Sequence, residues 1–206
     1  MAKIVCLANS FKRGERCVAG IDLKTNRWIR PIGRGDEGAI GVERLINGEE
    51  PELLDIVELP LGARADDLGC QPENRILLPG PWRKVGVIEN DDVIRYTEDT
   101  DRLLHNFDTN VPLSEFESNI KKADWKSLQL IHVKNARFSK NPWDKIECNF
   151  FYSGHWYSLK ATCPEAEKYL GLKSDYILTI SIGGPYRRNP KDDLCCWKMV
   201  AGAIKL

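Results

Sequence analysis

The sequence predicts a mainly β protein with a minor α component, built as two similar halves. Short β-prone runs separated by turn residues fill most of the chain. One order of elements is legible twice, and an acidic stretch lies between the two occurrences. The expected boundaries are an N-terminal half over 1–89, an acidic, partly helical connector over 90–125 and a C-terminal half over 126–206.

In the N-terminal half, residues 3–8 (KIVCLA) are apolar and β-prone, and Asn9 to Arg16 reads as a polar loop. Residues 17–23 read as a second strand. Lys24-Thr25-Asn26 supplies turn chemistry before Arg27–Ile32, which predicts a hairpin. A short helix is expected over Ala39 to Ile46, stopped by Asn47-Gly48. Residues 53–61 alternate as a fourth strand, and Trp82 to Ile88 is expected as the fifth.

The C-terminal half repeats this order more clearly. Residues 127–138 form a long strand, and Ser153-Gly154-His155 joins Ile146–Tyr152 to Trp156–Ala161 as a hairpin. Thr162 is the expected helix N-cap, with Pro164 in the first turn and Gly171 at the stop. Residues 175–182 (DYILTISI) and Cys195 to Lys205 complete five strands. Five strands with a short helix between the third and fourth is the order of an OB barrel, so the expected fold is two OB-like five-stranded barrels. The alternative is a single mixed α+β domain whose halves are alike by accident.

At 206 residues, with 42% hydrophobic and 29% charged, the composition is that of a globular chain. No apolar run reaches the length of a membrane helix, and Met1-Ala2-Lys3 before a six-residue apolar stretch is too short for a signal peptide. Seven cysteines without C-x-x-C spacing, and His105, His132 and His155 far apart, point away from zinc and from a complete disulfide framework. A cytoplasmic protein with reduced thiols, no membrane partner and no cofactor is the expectation.

Net charge is zero, yet the charges are segregated. Residues 1–34 hold eight Lys/Arg against two Asp/Glu, 35–119 hold seven against twenty, and 120–206 hold fifteen against eight. Two basic regions flank an acidic middle, so the mean says little about local fields.

The opening Lys3–Ser10, then Arg16-Cys17-Val18-Ala19-Gly20 and Trp28-Ile29-Arg30-Pro31, resembles the bacterial dual OB-containing domain family. The resemblance spans the chain in element order, with its specific motifs within residues 3–31. It implies two OB barrels and a nucleic-acid-binding role, in some members linked to genetic-conflict systems, and it carries over no catalytic residue.

Catalytic signatures are scarce. Gly33-x-Gly35-x-x-Gly38 fits a dinucleotide fingerprint, but Arg27 and Arg30 interrupt the preceding strand and Asp36-Glu37 would face a pyrophosphate. A flexible glycine loop is the better reading. Phosphate-loop, zinc-protease and serine-elbow motifs are absent from the sequence. Cys195-Cys196 reads as one buried thiol and one near the surface.

Binding residues are easier to nominate. Lys12, Arg13 and Arg16 lie in the first inter-strand loop, Lys140 and Trp143 in its counterpart, and Tyr186, Arg187 and Arg188 between the last two strands. In OB folds these loops rim the ligand groove. Cations approach phosphates and exposed rings stack on unpaired bases. Trp28 and Arg30 share a strand face, with Trp156 as the counterpart of Trp28, and only one of Phe150 and Phe151 can line a groove, Phe150 being assigned to the core.

The sequence therefore points to a non-catalytic module for single-stranded or structured DNA or RNA. Lys12, Arg13, Arg16, Arg30, Arg187 and Arg188 would hold phosphates, and Trp28, Trp143 and Tyr186 would stack. Two alternatives use the acidic middle: an adaptor docking a partner protein through residues 90–118, or a metal-dependent nuclease using Asp91, Asp92, Glu98, Asp99 and Asp101.

Overall fold

Residues 1–12, 15–34, 38 and 40–206 are described in the computed structural model. They fall into two units, Met1–Ala65 with Glu73–Tyr96, and Asp66–Pro72 with Thr97–Leu206.

The first unit is built on β1 (Ala2–Lys12), β2 (Glu15–Asp22), β3 (Trp28–Ile32), β4 (Asp55–Leu59), β5 (Leu61–Arg64), β6 (Asn74–Leu77) and β7 (Arg83–Val87), followed by the single turn α1 (Asn90–Val93). Its sheet runs β5-β6-β3-β2-β1-β4-β7. β3 and β6 pair in parallel, Arg30 opposite Asn74. Because Pro60 alone separates β4 from β5, the strand beside β1 and the strand beside β6 are two parts of one bent run, and the sheet curls back on itself. Ile4, Cys6, Val18, Ile40, Val57, Leu59 and Trp82 fill its core.

Local chemistry accounts for these turns. Between β2 and β3, the Asp22 carboxylate accepts from the Thr25 hydroxyl at 2.6 Å and the Lys24 N–H at 3.3 Å, while Asn26 takes φ 53°. Gly20 is required by close strand approach, since a Cβ there would lie 2.1 Å from the Val5 carbonyl oxygen.

Two expectations for this half need correction. Asn74–Leu77, and not Trp82–Ile88, is the fifth barrel strand, and Arg83–Val87 adds to β4 as an outer edge. The helix expected over 39–46 is a 3-10 turn at Val42–Arg44, and Ala39 lies outside the described residues. Gly35, Asp36 and Glu37 of the glycine motif also lie outside them.

The second unit contains β8 (Asn110–Pro112), α2 (Leu113–Ser118), β9 (Leu128–Lys140), β10 (Ile146–Tyr152), β11 (His155–Lys160), α3 (Glu165–Lys168), β12 (Lys173–Ile182) and β13 (Cys195–Lys205). The sheet order is β11-β10-β9-β12-β13-β8. A parallel bridge between Ala161 and Val200, with the Thr162 N–H donating to Val200 O at 2.9 Å, brings the end of β11 onto β13 and closes the curl. The sequence-predicted order of strand, hairpin, helix, strand, strand is reproduced here. Ser153 and Gly154 take φ 47° and 85°, as a two-residue hairpin turn requires. Thr162 does not cap α3; its hydroxyl donates to Val200 O and Pro164 occupies the cap position.

The acidic stretch is divided between the units rather than forming a body of its own. Leu103, Leu104, Val111 and Phe116 are fully buried in the second core, and β8 pairs with β13. Alternation along β10 sends Phe150 inward at 0% exposure and Phe151 outward at 48%. Phe150→Ala is therefore expected to cost about 3–5 kcal/mol, and Phe151→Ala less than about 1 kcal/mol. Urea midpoints of the two variants check this; equal losses would mean that the inward and outward assignments fail.

Candidate nucleic-acid interface

In the first unit the nominated residues are mostly committed to the protein. Arg16 stacks on the Phe11 ring at 3.9 Å, donates to Asn9 O at 3.2 Å and lies 3.8 Å from Glu50. Burial raises the Glu50 carboxyl, but the Arg44 hydrogen bond and charge and the nearby Asn9 and Arg16 bring it below its ordinary value. Arg30, expected beside Trp28 on a phosphate, is 6% exposed. Short β3 lies inside the sheet between β2 and β6, and its three central residues, Ile29, Arg30 and Pro31, are buried. An interior guanidinium cannot reach a surface phosphate, so the Arg30 assignment is corrected. Trp28 is half-buried. Arg13 lies outside the described residues, and for Lys12 only the strand backbone is described.

In the second unit the nominated loops stay exposed, but they do not converge along the sheet. Lys140 ends β9 opposite Ile146, whereas Ser181 of β12 pairs with Leu128 at the start of β9. The 141–145 and 183–194 loops therefore stand at opposite ends of a thirteen-residue strand, roughly 40 Å of contour. At one end Trp143 is 77% exposed, and Lys140 is paired with Asp144 at 2.8 Å. That hydrogen bond raises the Lys140 amine and lowers the Asp144 carboxyl. At the other end Tyr186 is 57% exposed, Arg187 is exposed, and Arg188 lies 3.4 Å over the Trp197 ring.

Between these ends lies a surface that the sequence reading only partly anticipated. Phe151 on β10 is opposite Trp156 on β11, with ring centroids 5.5 Å apart in an edge-on pair. Trp156 is 76% exposed. The two rings line an open depression of about 680 Å³ together with His132, Lys134, Lys173 and Asp99. Lys173 sits directly opposite Arg137 across β9 and β12, and both are exposed. Among the described residues Lys134, Arg137 and Lys173 have no ion-pair partner. Like charges directly opposed on neighbouring strands repel, and an anion bound between them would offset that repulsion. Trp156 was legible as the counterpart of Trp28, and Phe151 by its parity with Phe150. Lys134, Arg137 and Lys173 were missed, because only the β9–β12 register, with its shift between Ser174 and Tyr176, brings them together.

Elsewhere, Cys196 is buried and Cys195 half-buried, as their adjacency implied. Among the described residues no group of three or more His, Cys, Asp or Glu side chains is placed to hold a metal ion. No described helix is long and apolar enough to cross a membrane.

Two curled sheets, each joined by parallel pairing of its third and fifth strands, define a tandem OB-type protein. The chain belongs to the dual OB-containing domain family, which matches residues 2–203. Among solved structures it is similar to the one titled "Crystal structure of the tetrameric p202 HIN2", at 8% identity over 99% of this chain and 90% of that chain, with a TM-score of 0.31. No curated protein sequence matches it.

Proposed function

We propose that the protein is a non-catalytic nucleic-acid-binding module that takes single-stranded or unpaired segments of DNA or RNA on the outer face of its second barrel. The observation that carries this reading is the solvent-facing Phe151–Trp156 pair beside unpaired Lys134 and Lys173. Flat rings stack on any unpaired base, and the amines neutralise the adjoining phosphates. Duplex bases offer no free face to such rings, which favours unpaired strands. Trp143 at one end of β9, and Tyr186, Arg187 and Arg188 at the other, extend the same surface along a longer strand. Membership in a family of paired OB domains supports the reading, since OB folds present such faces to oligonucleotides.

Fluorescence anisotropy with labelled DNA and RNA oligomers at low salt tests the proposal. Saturable binding is expected, with log affinity falling linearly against log salt at a slope of about −0.7 per neutralised phosphate. No saturation by tens of micromolar protein would reject it. The adaptor alternative instead predicts that charge reversal at Asp91, Asp92 and Asp99 releases a captured protein partner.

A further inference from the structure

The depression that carries Trp156 also contains a carboxylate, which a surface built only for phosphates would exclude. Asp99 is exposed, and among the described residues it has no ion-pair partner. Its neighbours are engaged elsewhere: Glu98 pairs with Lys126 at 2.6 Å, and Asp175 accepts the Asn135 N–H at 2.9 Å. The backbone on either side of Asp99 is held in place. Glu98 N–H donates to Leu130 O at 2.7 Å, the Tyr152 hydroxyl donates to Glu98 O at 3.0 Å, and Thr100 N–H donates to that hydroxyl at 2.9 Å. Gln129 adds a bond to the Thr100 hydroxyl at 2.7 Å. The segment carrying this carboxylate is thus fixed before any ligand arrives.

A carboxylate only accepts hydrogen bonds, so its partner in the depression must be a donor. Phosphates and sugar ring oxygens are excluded by that rule. Adenine and cytosine each offer one exocyclic amine on the pairing edge, beside an acceptor that a carboxylate repels. Guanine alone offers two adjacent donors, N1–H and N2–H, in a fork that matches both carboxylate oxygens. We infer that the depression is a guanine site, with Asp99 reading the pairing edge of a base stacked on Trp156 while Lys134 and Lys173 meet its phosphates. This inference rests on the proposed single-strand reading, and it adds base identity to it. The same chemistry would accept a free guanine nucleotide.

The test uses the whole chain and labelled thymidine oligomers carrying one central guanine or one central hypoxanthine, which lacks the 2-amino group. Guanine is expected to bind about tenfold more tightly than hypoxanthine, and Asp99→Asn is expected to bring that ratio to about one. Guanosine monophosphate should displace the guanine oligomer at lower concentration than inosine monophosphate does. Equal affinities for guanine and hypoxanthine in the unaltered protein, or a preference that persists in Asp99→Asn, would overturn the guanine site while leaving strand binding standing. Capture of guanosine monophosphate without binding of any oligomer would keep the guanine site and remove the strand reading. Failure of every oligomer and both nucleotides would remove both.

Discussion

Replacing Lys198 by methionine is expected to destabilise the second unit by about 2–4 kcal/mol at about pH 9.5. Lys198 is on β13 and is 4% exposed. Its Nζ donates to Leu103 O at 2.5 Å, Asn106 O at 2.8 Å and Asn106 Oδ1 at 2.7 Å. These oxygens accept from the N–H groups of the side-chain amine. Methionine fills similar volume but removes the amine from those oxygens, leaving Asn106 Oδ1 with the Asp108 N–H at 3.2 Å, and it releases the 103–106 segment that carries buried Leu103 and Leu104. Urea unfolding followed by tryptophan fluorescence reads the loss. An unchanged midpoint would mean that water serves those oxygens equally well.

The same residue makes stability depend on pH. Burial pushes the Lys198 amine down to about 7, against the upward pull of Asp108 and Glu115. In the unfolded chain it titrates near its ordinary value of about 10.4. Between those values the unfolded state binds a proton that the folded state does not, so the Lys198 contribution to stability rises with pH across this window and is lost as pH falls to 7. The stability gap between the unaltered protein and Lys198→Met should therefore widen by about 3 kcal/mol from pH 7 to 9.5. Taking the gap removes the contribution of thiols such as Cys148, which burial pushes up to about 12 in both proteins. A constant gap would mean that the three oxygens hold the amine charged throughout.

The second barrel was legible because its strands are long and rich in β-prone apolar residues, with alternation clearest in β10 and β11. Residues 127–138 and 175–182 announce themselves by pattern alone, and Ser153-Gly154 fixes the hairpin by backbone chemistry. In the first barrel the fifth strand is four residues long, and β3 recruits it in parallel from a distance. Trp82–Ile88 has the stronger apolar pattern, but Val85 and Val87 of β7 are exposed on the edge strand. The acidic stretch misled by composition, because its few apolar side chains, Leu103, Leu104, Val111 and Phe116, are the ones that decide its packing. Arg30 misled in the opposite sense. Period-two alternation says which residues share a face, but not whether that face is covered.

Trp156→Ala is expected to weaken binding of single-stranded oligomers by about 1–3 kcal/mol, roughly five- to 150-fold, with little effect on folding because the ring is 76% exposed. Its edge-on contact with Phe151 is lost as well, so Phe151→Ala should add little once Trp156 is gone, while acting on its own in the unaltered protein. Lys134→Gln and Lys173→Gln should each reduce the magnitude of the salt slope by about 0.7, a signature that loss of stacking does not produce. Tyr186→Ala separates this face from the rival site on the 183–194 loop. That ring is also exposed, but it stands at the opposite end of β9 from Lys140 and Trp143. A short oligomer covering only the central depression should be insensitive to Tyr186→Ala and to Trp143→Ala, and a longer one should respond to them. If Tyr186→Ala abolishes binding of the short oligomer while Trp156→Ala leaves it intact, the loop binds the strand and the outer sheet face does not.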